Sequence, residues 1–190
     1  MPILTATQVT QYSNITASAS TIVSSGLIAV VQDRITMHLN NYFVTDLYLR
    51  GTVTFNATAA TIVSCNSFEV QNFAAGDDIY IYQSYRNDGY YTLDSVSGST
   101  LTIASTASVV DELSGRSILI SVVRWPTDIV YAAAQMVAYD YDVRPTRSAG
   151  VKSVSLGPWS ESYGGIANGA YGYPEDLWAP LYDHRIVRLM

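Results

Sequence analysis

The sequence predicts an α+β protein: a small helical bundle interrupted by an inserted antiparallel β-sandwich or barrel module. Three observations carry that expectation. Apolar residues recur at helical spacing near the N-terminus and again after Pro126. Between them, from about Tyr48 to Arg124, the chain breaks into short runs rich in Thr, Val, Ile and Tyr, separated by Gly, Asn, Asp and Ser. Neither flanking part has enough helix to fold alone, so residues 1–47 and 126–190 are expected to pack as one domain around an inserted module at 48–125.

The first helical signal runs from about Ser18 to Tyr42. Ile28, Val31, Ile35, Leu39 and Tyr42 recur at spacings of three and four, and Val23, Leu27 and Val30 widen the stripe. So wide a stripe predicts a core helix buried on more than one side, with Asp33, Arg34 and His38 on its polar strip. Ser18 or Ser20 can cap its start by accepting from free backbone N–H groups.

Seven β-like runs follow: RGTVTF, ATIVS, SFEV, DIYIY, YYTLDSV, STLTIAS and SILISVV. Asp88-Gly89 and Ser97-Gly98-Ser99 supply the turn chemistry of tight hairpins, because Gly reaches positive φ without a steric penalty. Seven short strands suffice for a small sandwich or barrel.

Helical periodicity returns at Pro126, a residue suited to a first turn because its missing N–H would have no partner there. Asp128 complements the positive helix N-terminus. Val130, Ala133, Val137 and Tyr141 share one face, and Ala132–Ala134 permit close helix approach. Pro145 marks the expected end.

The stretch VKSVSLGPWSESYG at 151–164 then reads as a short extended hairpin, and it holds the chain's one lysine, Lys152. The glycine-rich run GGIANGAYGYP reads as a connector. In the closing segment, Leu177, Trp178, Leu181 and Tyr182 form one apolar turn that Pro180 keeps short. The final HRIVRLM mixes basic and apolar side chains and is expected to need a partner to become ordered.

Composition narrows the function. Ten basic residues face sixteen carboxylates, for a net charge of -6. That balance argues against binding nucleic acid through a broad basic surface. One cysteine, Cys65, excludes an internal disulfide and a multi-cysteine metal site, and without basic neighbours it is read as a packing residue. No apolar run is long enough to span a bilayer, and the N-terminus lacks a signal-peptide pattern, so a soluble intracellular product is expected. Asn14-Ile-Thr16 and Asn56-Ala-Thr58 are then chance matches to the glycosylation pattern.

No phosphate loop, dinucleotide glycine pattern or HExxH motif is present. The two histidines, His38 and His184, lie in separate elements, which disfavours a histidine-centred triad. Asp77, Asp78, Asp88 and Asp94 fit turn-starting roles better than a cation site. No enzyme active site, cofactor or metal is expected. Tyrosine is the compositional outlier, with fifteen residues. Its apolar ring and polar tip suit half-buried sheet faces and subunit interfaces.

The order of the parts resembles the head–tail connector (adaptor) proteins of long-tailed bacteriophages. In that family a helix end is commonly followed by a Lys-Ser-x-x-x-Gly-x-x-Ser-x-x-Tyr-like segment. Here Lys152, Ser153, Gly157, Ser160 and Tyr163 fill those places. LTATQVTQY also looks like the family's short leading helix. The resemblance covers roughly residues 1–47 and 126–190; the β module departs from plain members, which join their helices by a shorter loop.

The resemblance implies a structural virion protein made in the host cytoplasm and placed in the phage neck. It implies a homo-oligomeric ring, a dodecamer, that docks beneath the portal protein and receives the next neck or tail protein, with DNA passing through its centre and no membrane contact. An acidic, lysine-poor lumen would let the duplex slide. Lys152, Ser153, Trp159, Ser160 and Tyr163 are the expected subunit contact. Leu177, Trp178, Leu181, Tyr182, Arg185 and Arg188 are the expected portal-docking set, with Trp178 as anchor, held off the helical core by the glycine-rich connector. Two alternatives stay open. One is a tail-completion or tail-terminator ring; the other is a carbohydrate-binding β module with Tyr80, Tyr82, Tyr85, Tyr90 and Tyr91 as stacking platforms.

Overall fold

A computed structural model describes residues 3–68, 71–104, 108–146, 153–156, 159–162 and 170–187. The protein is α+β, with helices and a closed antiparallel β-barrel. The chain forms two compact units: Tyr42–Arg124, which holds the barrel, and a helical unit built from both chain ends.

The barrel has six strands: β1 (Val44–Asn56), β2 (Thr61–Ser64), β3 (Asp78–Tyr82), β4 (Gly89–Ser97), β5 (Thr100–Ile103) and β6 (Ser117–Val123). They close in the order β1-β2-β5-β4-β3-β6, every neighbouring pair antiparallel. Closure depends on the length of β1. Its residues 44–52 pair with β6 and its residues 53–56 pair with β2. Closing the sheet on itself removes the exposed edges a short open sheet would carry.

Alternation decides which side chains fill the interior. Ile79 and Ile81 of β3 point inward, as do Tyr91 and Leu93 of β4 and Ile118, Ile120 and Val122 of β6. Phe55, Ile62, Leu101 and Ile103 complete the opposite wall. The β4–β5 hairpin turns at Gly98-Ser99, with Gly98 at φ 53°.

The run SFEV, expected as a seventh strand, differs. Ser67 and Phe68 lie outside any strand, and the rest falls outside the described residues. Phe68 still belongs to the core, fully buried against the edge of the Phe73 ring. Its backbone bonds to Gly98, and Phe73 N–H bonds back to Phe68 O, a turn in place of a ladder. Apolar content marked the burial; periodicity over so few residues could not tell a plug from a strand. Cys65 is exposed, which corrects the packing role expected for it.

In the helical unit, the single helix expected over Ser18–Tyr42 is two: α2 (Ala19–Ser25) and α3 (Leu27–Leu39), after a short α1 (Ala6–Tyr12). Gly26 ends one and begins the other at φ 69°, a left-handed conformation that glycine adopts freely. The break rotates the second helix, so Val23 and Val30 are exposed. The buried face of α3 is the narrower set Ile28, Val31, Ile35 and Leu39, with Gln32 and Thr36. Gln32 is satisfied there, its side-chain oxygen accepting from Ile3 N–H at 2.6 Å. Ser18 caps α2, and Thr5 with Gln8 forms a reciprocal capping box at α1.

α4 (Thr127–Ala138) is the hub of this unit and packs against α1, α3 and the C-terminal segment. Ile129, Ala132, Ala133, Met136 and Val137 are buried on it. The small side chains let neighbours approach, as the alanine run suggested. The helical path does not stop before Pro145. It continues as a π turn at Tyr139–Val143 and a 3-10 turn at Arg144–Thr146. A two-stranded hairpin follows, β7 (Ser153–Leu156) with β8 (Trp159–Ser162). The chain then reaches α5 (Glu175–Trp178) and a 3-10 turn at Ala179–His184.

Candidate functional site

Three places carry the residues of interest. The first is the hairpin. Ser153 pairs with Ser162, Val154 with Glu161, Ser155 with Ser160 and Leu156 with Trp159. Among the described residues no third strand joins this sheet. Ser153, Trp159 and Ser160 of the expected subunit contact therefore lie on paired strands; Lys152 and Tyr163 fall outside the described residues.

The second place is the C-terminal segment, where the expectation needs correction. Trp178 and Leu181 are not held off the helical core; both are fully buried. Trp178 Nε1 donates to Ala170 O at 2.8 Å, and its ring lies 4.4 Å from the His38 ring and edge-on to Tyr173 at 6.1 Å. The glycine-rich sequence gave no sign of this, because such a composition specifies no direction for the segment that follows. Leu177 is half-buried, while Tyr182 and Arg185 are exposed; Arg188 lies outside the described residues. The segment is also tied down by backbone bonds. Ile186 N–H donates to Leu39 O, and Asn41 Nδ2 donates to His184 O at 2.8 Å. Ile186 and Val187 nevertheless present apolar surface to solvent.

A buried carboxylate with two part-exposed guanidiniums holds this arrangement. The Asp140 carboxylate, in the π turn, accepts from Arg34 Nη1 at 2.7 Å, from Arg144 Nε at 2.5 Å and from the Tyr173 hydroxyl at 2.7 Å. Arg34 comes from α3 and Tyr173 from the C-terminal segment, so one carboxylate ties three parts of the unit. Burial, with the neighbouring Asp140 charge, pushes the Tyr173 phenol well above its usual range. A phenol held in that state is a hydrogen-bond donor and a poor base. Beside it, His38 Nε2 is buried without a hydrogen-bond partner. Desolvation, helped by the Arg185 charge, lowers the His38 pKa. On the sequence alone both Arg34 and His38 had been placed on a polar strip; the tertiary partners that engage them are more than a hundred residues away.

The third place is the barrel's outer wall. Tyr80 and Tyr82 alternate with the inward Ile79 and Ile81, and Tyr90 faces out beside Tyr80 on the next strand. Tyr42 stacks on Tyr80 with centroids 4.6 Å apart and planes 16° apart, and Tyr90 meets Tyr80 at 4.8 Å. Burial by these neighbours raises the Tyr80 pKa. Tyr82, Tyr48 and Tyr85 are exposed, whereas Tyr91 faces the core and leaves the set of five platforms read from sequence. Tyr42 and Tyr48 replace it, Tyr48 from β1 and Tyr42 from two residues ahead of that strand.

Two of the carboxylates weighed as a cation site are engaged locally. Asp77 caps Ala74 N–H and pairs with Arg124 at 2.7 Å; Asp88 accepts from Ser84 N–H and Oγ. Among the described residues no group of three or more His, Cys, Asp or Glu side chains is placed to hold a metal ion. Sequence reasoning missed Asn87, which is fully buried. It donates to Val110 O and Glu112 Oε2 and accepts from Val110 N–H, fastening the β3–β4 loop to the loop before β6.

No protein-family model matches this sequence, and no curated protein matches it either.

Proposed function

We propose that the chain is a structural virion protein of a tailed phage neck. Its helical unit is a small bundle that forms a ring beneath the portal and joins head to tail while DNA passes through. The observation that supports this reading best is the hairpin β7–β8. It is a two-stranded sheet with both outer edges without a strand partner among the described residues. An isolated hairpin of this length is marginal in water. Strand addition from a neighbouring subunit would complete its backbone hydrogen bonds, and repeating that contact around an axis closes a ring.

Portal docking falls to what the C-terminal segment leaves exposed: Tyr182, Arg185, Ile186 and Val187. Trp178 acts one step back, by packing that segment on α3. Arg185 would steer the encounter with an acidic partner surface more than fix its strength. The net charge of -6 suits a lumen that does not grip the duplex.

Replacing residues 153–162 by a Gly-Ser linker tests the reading. Both units should stay folded, while the protein no longer co-purifies with portal-containing heads and tails fail to join. Normal recovery on heads with the hairpin removed would sink it.

A further inference from the structure

The barrel has its own binding furrow. At its N-terminal end β1 shifts register against β6 between Val44 and Tyr48, a bulge that turns Asp46 and Tyr48 outward. Two hollows flank this stretch. One, of about 360 Å³, is lined by Asp46, Tyr48, Arg50, Asn66 and Gln71. The other, of about 290 Å³ and more apolar, is lined by Val44, Thr45, Tyr48, Arg50, Leu119 and Ser121. Tyr48 and Arg50 line both, so the hollows form one furrow along β1. Across the wall the pairing Tyr48–Ser121–Tyr80–Tyr90 sets Tyr48 two strand spacings, roughly 10 Å, from the stacked tyrosines.

We propose that this furrow binds a neutral saccharide chain, a function separate from ring assembly. A pyranose has an apolar C–H face and a rim of hydroxyls, each both donor and acceptor. An exposed Tyr ring matches the face, and carboxylate, amide and guanidinium groups match the rim. Among the described residues the side chains of Asp46, Arg50, Asn66 and Gln71 have no hydrogen-bond or ion-pair partner, so their bonding capacity is uncommitted. The opposed charges of Asp46 and Arg50 favour a ligand with no net charge. A nucleic acid fits poorly, since residues 42–124 carry eight carboxylates against four arginines and no lysine. A protein partner is the competing occupant, since Val44, Leu47 and Leu119 leave aliphatic surface beside Tyr48; the four uncommitted polar side chains around that ring favour the sugar.

The full chain is applied to an array of immobilised neutral oligosaccharides of glucose, galactose, N-acetylglucosamine and rhamnose, and hits are titrated by calorimetry. Binding to at least one should appear, weakened about tenfold by Tyr48→Ala, the scale of one aromatic stacking contact. Arg50→Ala and Gln71→Ala should weaken it comparably, which keeps the test valid if Tyr48→Ala misfolds. Tyr131→Ala, an exposed tyrosine on α4, should change nothing. Absence of binding to every neutral sugar overturns the proposal, as does binding that these three variants leave unchanged. Concentration-dependent self-association lost on Tyr48→Ala, without sugar binding, would instead make the furrow a protein contact. Because heads and tails are not involved, failure here leaves the ring reading standing, and the reverse holds too.

Discussion

The barrel and the helical unit solve the burial of side chains in opposite ways. In the barrel, one ladder closes on itself and its interior is apolar: Val, Leu, Ile, Phe and one Tyr. Its polar fasteners, such as Asn87 with Glu112, sit in loops at the strand ends. The helical unit is instead joined across its segments by one buried carboxylate. Asp140, Arg34, Arg144 and Tyr173 join three parts of the chain, with His38 and Trp178 packed alongside. A closed sheet gets its uniqueness from register, whereas short helices of four to thirteen residues slide against one another unless specific polar contacts fix them.

The sharpest way to break this comparison is to remove one side of it. Arg124 N–H donates to Phe43 O at 3.0 Å and Val44 pairs with Val123, so the barrel's entry and exit strands lie side by side. A short Gly-Ser linker can therefore replace residues 43–124. The remainder should keep its helical circular dichroism and lose one whole unfolding transition; a remainder without helical signal would show that the two units are not independent.

Next in size is Trp178→Ala, at about 3–5 kcal/mol for a fully buried Trp. The loss should appear in the helical transition only, by denaturant melts followed on the two units. A folded, equally stable variant would return Trp178 to the role of a docking anchor. Ile81→Ala, also fully buried, should cost about 2–5 kcal/mol in the barrel transition alone.

How much of this was legible in the sequence divides along the same line. Strand alternation is local, so DIYIY, YYTLDSV and SILISVV were recoverable as strands, although Tyr91 was read among the outward platforms and faces the core. Helical periodicity showed α3 and α4 but not the break at Gly26, because a glycine inside an apolar stripe reads equally well as a weak helix residue. The fate of Trp178 was illegible for a different reason. Its partners His38 and Ala170 are set by how the chain returns, and a glycine-rich connector specifies no direction. The bulge that makes the furrow left a trace only in β1's early start at Val44, ahead of the expected boundary at 48.

A smaller effect sharpens the contrast at α1. Thr5→Ala removes the capping box, and about 1 kcal/mol should be lost from the helical transition. Smaller still is the response to acid. His38 has a folded pKa below its ordinary value, chiefly through desolvation. Its contribution is complete above the ordinary imidazole range. It falls as pH drops through about 6.5, because the unfolded chain takes the proton first. Asp128 adds a second loss at lower pH. Desolvation alone would raise its pKa, but hydrogen bonds from His184 and Ile129 N–H outweigh that and lower it. Its contribution therefore disappears as pH falls through the ordinary carboxylate range. Melts from pH 8 to 5 should show the helical unit weakening more than the barrel, and His38→Gln should remove most of that difference.

The most direct test of the ring reading is an image reconstruction of the particle's neck with this chain labelled. The account predicts a dodecameric ring immediately beneath the portal, with neighbouring subunits joined through the edges of β7 and β8. A sixfold ring at the tail end, or neighbours joined with both hairpin edges unpaired, would contradict it.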